Sequence, residues 1–92
     1  KDQRREAAEK RKQLQPLKKK IDKLEQEMNK LQQQQAALEA QLADPDIYSD
    51  ANRHKLKQLV LDKSNLDAKL EEVEMEWMER SEEYDTAMAD DA

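Results

Sequence analysis

An all-α fold, an antiparallel two-helix coiled-coil hairpin, is predicted by three features of this sequence. It has 92 residues without a single Gly or Phe. Charged residues make up 42% of it. Apolar side chains recur at alternating spacings of three and four through two long segments. Ordinary turns and helix ends recruit Gly for left-handed backbone angles, so a chain without it needs a fold with almost no turns. The abundance of Ala, Glu, Lys, Leu, Gln and Asp is the mix of long helices and coiled coils. A hydrophobic content of 36% with three aromatics supports a narrow apolar seam, not a thick core.

The first periodic segment reads Leu14, Leu17, Ile21, Leu24, Met28, Leu31, Gln35, Leu38, Leu42. The second reads Leu56, Leu59, Lys63, Leu66, Leu70, Val73, Trp77, Arg80, Tyr84. Fifteen of these eighteen positions are apolar or aromatic; Gln35, Lys63 and Arg80 are the exceptions. That is the heptad signature, and strand alternation fits neither segment.

Taken in order, residues 1–15 are expected to form a basic N-terminal helical arm and residues 16–92 the hairpin. The hairpin divides into a first helix over about 16–43, a tip over 44–49 and a second helix over about 50–88. Pro16 sets the first boundary, either as the opening residue of the main helix or as a kink inside it at a cost of roughly 3 kcal/mol. Pro45 disfavours helical geometry at Asp44 and ends the first helix near Ala43. Ser49 or Asp50 is suited to cap the second helix. Ile47 and Tyr48 either fold over the open end of the seam or form an exposed recognition tip. A bend near residue 47 makes facing residue numbers add to about 94, so that Leu24 meets Leu70. A shift of one heptad is the main competitor.

Catalysis is excluded by inventory. There is no Cys, one His and three Ser, and no Gly-rich loop to cradle phosphate. A two-helix seam offers no pocket to desolvate a base. His54 reads as a solvent-facing helix residue. Glu72, Glu76, Glu79 and Glu83 share a helix face, but metal binding by such carboxylates needs other helices to complete the shell, and no His accompanies them. They read as a solvated face, so no catalytic, cofactor or metal site is assigned. Trp77 reads as seam packing, with Met75 and Met78 beside it as a flank suited to docking or self-association. Without an apolar run of membrane-spanning length or a signal peptide, no membrane partner is expected. With no initiator Met, the chain is expected to be a piece of a longer protein, and the absence of Cys fits a reducing compartment, so a cytoplasmic location is expected.

The net charge of −5 conceals a gradient. Residues 1–23 carry ten Lys/Arg and four Asp/Glu, whereas residues 71–92 carry one Arg and ten Asp/Glu. The candidate nucleic-acid-binding residues are Lys1, Arg4, Arg5, Lys10, Arg11, Lys12, Lys18, Lys19, Lys20 and Lys23. With no aromatics among them, they suit sequence-independent phosphate contacts instead of base stacking.

Three stretches carry a family resemblance: Lys1-Asp2-Gln3-Arg4-Arg5, Gln15-Pro16-Leu17-Lys18-Lys19-Lys20-Ile21 running into Leu24-Glu25-Gln26-Glu27-Met28, and Ala43-Asp44-Pro45-Asp46-Ile47-Tyr48-Ser49-Asp50. Glu74-Met75-Glu76-Trp77 looks like a fourth. Together they resemble the C-terminal coiled-coil domain of ABC-F ATPases, closest to the bacterial YheS type and similar also to the neighbouring Uup type. The resemblance implies a parent with two ATP-binding cassettes upstream, no membrane domain and a role on ribosomes in translation. It implies that ATP is the parent's cofactor and that this segment holds none. It also implies contact with ribosomal RNA, tRNA or DNA, against which the acidic C-terminal half stands as a departure. The alternative is a protein-interaction or spacer coiled coil without nucleic-acid binding, or the RNA-reaching arm of an aminoacyl-tRNA synthetase.

Overall fold

The computed structural model describes residues 2–89, with side chains from residue 4 onward. Helix α1 spans Asp2–Ala43, two short 3-10 turns follow at Pro45–Tyr48 and Asp50–Asn52, and helix α2 spans Arg53–Ala89. The two helices lie side by side in a rod of 73 × 17 × 14 Å. At about 1.5 Å per residue, the 42 residues of α1 account for most of that length.

The turn is built without glycine and, among the described residues, without any positive φ. Asp44 leaves the helix in an extended conformation (φ −73°, ψ 121°), and its Oδ1 accepts from the Asp46 amide at 3.0 Å. The Ile47 amide donates to the Asp44 carbonyl and the Ser49 amide to the Asp46 carbonyl. Two successive 3-10 turns thus reverse the chain using only right-handed geometry. Asn52 ties them together, its Nδ2 donating to the Asp46 carbonyl at 2.9 Å. Ser49 caps the second of these turns and not α2 itself, and its side chain makes no capping bond to a backbone amide. Its hydroxyl instead lies 3.3 Å from Asn52 Nδ2. Ile47 is buried beneath the bend while Tyr48 lies outside, donating its hydroxyl to the Leu42 carbonyl at 2.6 Å. One tip residue closes the seam and the other is left to solvent.

The helical boundary expected at Pro16 is absent. α1 runs through Pro16 without interruption, so the main helix begins at Asp2 and not near residue 16. Pro16 and Lys12, whose carbonyl lacks its usual donor, are both exposed, so water is at hand to replace the missing bond. Leu14 and Leu17 on either side are both half-buried, and the seam continues toward the N-terminus as far as Ala7.

The core is one line of side chains. Ile21, Leu24, Leu31, Ile47, Leu59, Leu70 and Val73 are buried. Leu24, Leu31, Leu70 and Val73 form the central cluster, with Met28, Leu66 and Trp77 packed against it. The register differs from the one that places Leu24 against Leu70. Gln35 bonds Asp67, Trp77 bonds Glu25 and Lys18 lies over Tyr84, pairs whose numbers add to 102 in each case. The long Lys20 side chain reaches further back, diagonally, to Glu76. The hairpin therefore adopts the competing alignment, about one heptad further on. The 3-10 turns account for this, because the first of them packs alongside the start of α2, so that α1 meets α2 only beyond its opening turns.

Candidate nucleic-acid interface

In this alignment the basic half of α1 runs beside the acidic half of α2. The basic residues fall into distinct groups. Arg4 and Arg5, Arg11 and Lys12, then Lys18 and Lys19 are adjacent pairs repeating every seven residues, and all six side chains are exposed. A seven-residue step advances about 10 Å along a helix and returns to nearly the same face. The result is a stripe of doubled cations along the outside of the hairpin. Lys23 is exposed beyond its end.

Among the described residues, Arg4, Arg5, Arg11, Lys12, Lys19 and Lys23 make no hydrogen bond or ion pair. Lys18 does: its Nζ is 3.8 Å from Asp22 and 5.6 Å from the centre of the Tyr84 ring. Lys20 bridges to α2, 3.5 Å from Glu76. Lys10 is half-buried on the seam side and engaged, so it does not belong to the outward stripe. Lys1 lies outside the described residues. The structure thus separates the nine described cations, similar in appearance in sequence, into an outer set in which only Lys18 is engaged and the engaged Lys10 and Lys20.

The acidic face is largely occupied by neighbours. Glu76 answers Lys20, while Arg80 on the seam places its Nε 2.8 Å from Glu83 and its Nη2 3.7 Å from Glu79. Among the described residues no group of three or more His, Asp or Glu converges closely enough to hold a metal ion. These cross-helix and local pairs are about half exposed, and such pairs contribute about 0–1 kcal/mol each. They leave the outer cations other than Lys18 un-neutralised by direct contact.

Two interactions were not anticipated from the sequence. The indole Nε1 of Trp77 donates to Glu25 Oε1 at 3.1 Å, giving this seam aromatic a polar anchor on α1. Within the seam, Gln35 Nε2 and Lys63 Nζ both donate to Asp67, at 2.8 Å each. The Asp67 carboxyl is held below the usual carboxylate range, first by the Lys63 hydrogen bond and then by that from Gln35. The Lys63 ammonium is held above its usual value by the same hydrogen bond and by the Asp67 charge. Gln35 and Lys63 are two of the three polar breaks in the apolar rows, and they satisfy each other's layer through a shared carboxylate. The signal available in the sequence was Asp67 four residues after Lys63, a spacing at which helix side chains meet.

A two-helix rod with a single-file core is an accessory helical module, distinct from the compact α/β cassettes that hydrolyse nucleotides. Residues 10–82 match the ABC transporter C-terminal domain family, and the chain belongs to that family. It is the C-terminal accessory domain of an ABC protein and not its catalytic ATPase domain. No curated relative and no solved structure matches it. None of the described helices is long and apolar enough to cross a membrane.

Proposed function

We propose that this hairpin serves a soluble, cytoplasmic ABC-F-type ATPase working on the ribosome in translation, and that it contacts nucleic acid through the outer row of α1. The observation that supports this reading is the heptad repeat of exposed cation pairs, of which only Lys18 has a partner. Solvated cations of this kind gain by displacing the counterions condensed on a phosphate backbone. A rigid helix presenting them at about 10 Å intervals meets a duplex or folded strand along one line. The absence of aromatics from the row favours phosphates over unstacked bases.

Fluorescence anisotropy with short duplex DNA and with structured RNA, at 50 and 200 mM salt, tests the reading. With up to six cations engaged, log K should fall against log salt with a slope of up to about −5. Changing Arg4, Arg5, Arg11, Lys12, Lys18 and Lys19 to Gln should abolish binding and its salt dependence. Changing Lys55 and Lys57 on α2, exposed but outside the row, should not. Absence of binding at 50 mM would favour the second reading, a protein-interaction or spacer coiled coil. The direct pairing of Lys20 with Glu76 supports that alternative.

A further inference from the structure

The outward face of α2, remote from α1, carries side chains that a solitary hairpin has no use for. Leu61 is 55% exposed, Met75 58% and Met78 57%. Leu61, Ala68 and Met75 are spaced by seven and so share one face, and Ala68 between the two larger residues is exposed as well. This row is symmetric about Ala68. A second α2 laid antiparallel on the first, with the two Ala68 residues facing each other, sets Leu61 of each copy against Met75 of the other. Alanine at the centre permits close approach of the helices.

The charges of α2 obey the same symmetry. Residues 53–69 carry Arg53, Lys55, Lys57, Lys63 and Lys69 against Asp62 and Asp67. Residues 71–85 carry eight acids against Arg80. A parallel pairing would oppose like halves. The antiparallel pairing about Ala68 brings Lys57 opposite Glu79 of the second copy and Arg53 opposite Glu83 of the second copy, with Lys55 one position away from Glu82 of that copy. One like-charge meeting, Asp62 against Glu74 of the second copy, stands against these. Asp62 is exposed and already accepts the Gln58 amide at 2.9 Å.

We propose that this face of α2 is a self-association surface, and that two copies of the chain pair through it as an isologous, antiparallel four-helix assembly with Ala68 on the two-fold axis. A residue on such an axis meets its own copy. Since the chain has no Cys, Ala68→Cys is a clean reporter. The Ala68→Cys chain should form disulfide-linked dimers under mild oxidation at least tenfold faster than Gln26→Cys, whose exposed position lies on α1. Equal rates would overturn the proposal. Sedimentation equilibrium of the unmodified chain should show a monomer–dimer equilibrium that Leu61→Gln with Met75→Gln weakens at least tenfold. Both are surface positions, so a normal helical circular-dichroism spectrum separates loss of pairing from loss of folding. Lys57→Glu and Glu79→Lys should each weaken the dimer, and the two together should restore it. A monomer at millimolar concentration, or a dimer indifferent to these changes, would show that the face is merely solvated.

Discussion

Pro16 offers the sharpest test of how this hairpin is held together, because its replacement by Ala should make the protein more stable. The residue lies inside an unbroken α1, exposed, with half-buried seam residues on both sides. A proline inside a helix removes one hydrogen bond, crowds the preceding turn and costs about 3 kcal/mol relative to ordinary residues. Against that, proline restricts the unfolded chain, and losing the restriction returns roughly 0.4–1 kcal/mol to the unfolded state. The difference is a net gain of about 2 kcal/mol. For a domain of this size each kcal/mol moves Tm by roughly 4–8 °C, so Pro16→Ala should unfold some 8–16 °C higher. Thermal melts followed by circular dichroism at 222 nm measure this directly. Amide exchange across residues 5–15 should slow in parallel, because that segment is coupled to the hairpin through the same helix. An unchanged Tm with unchanged exchange would refute the reasoning. It would mean that Pro16 opens the main helix, and that the preceding residues contribute nothing to cooperative unfolding.

Four further outcomes are expected. Leu70→Ala removes the centre of the buried cluster and should cost about 2–3 kcal/mol, the lower part of the range for such truncations, because a two-helix seam relaxes more easily than a globular core. Urea unfolding should show a lower midpoint at constant slope, and a loss below about 1 kcal/mol would contradict the packing described. Trp77→Phe keeps the ring in the seam but loses the bond to Glu25; it should cost less than about 1 kcal/mol, whereas Trp77→Ala should cost about 3. Asp67, with its folded pKa depressed, contributes stability that is present above its unfolded pKa and lost as pH falls through the folded one. Tm should therefore drop below about pH 4, and Asp67→Asn should flatten that part of the profile. Lys63 has a raised pKa, so its contribution is present below its unfolded value and lost as pH rises through the folded one; Lys63→Met should remove that alkaline loss.

Much of this architecture follows from local rules. The seam positions from Leu14 to Leu42 and from Leu56 to Tyr84 lie where three-four periodicity places them, since a helix must turn its apolar residues toward its only partner. The end of α1 at Ala43 follows from Pro45. The register does not follow from the pattern. Sliding one helix by seven residues returns every seam residue to a seam position, so the apolar pattern is nearly indifferent between the two alignments. What distinguishes them is the path of the turn, and that depends on Asn52 reaching back to the Asp46 carbonyl. The helix through Pro16 was hidden for a different reason. Its cost is local, whereas the compensation comes from seam residues as far away as Ala7. For the candidate interface, residue identities named the cations, but only the register and the exposed face divided the outer row from Lys10 and Lys20.

The opposition of basic and acidic helices at one end of the rod makes that end electrically two-sided across a width of only 17 × 14 Å. A polyanion nearby pulls one edge inward and pushes the other away, which amounts to a torque about the long axis. The rod cannot then approach with arbitrary rotation: it rolls until α1 lies against the negative surface and α2 faces outward. Its orientation is set before any specific contact forms. The side left facing outward is the one that carries Leu61, Ala68 and Met75.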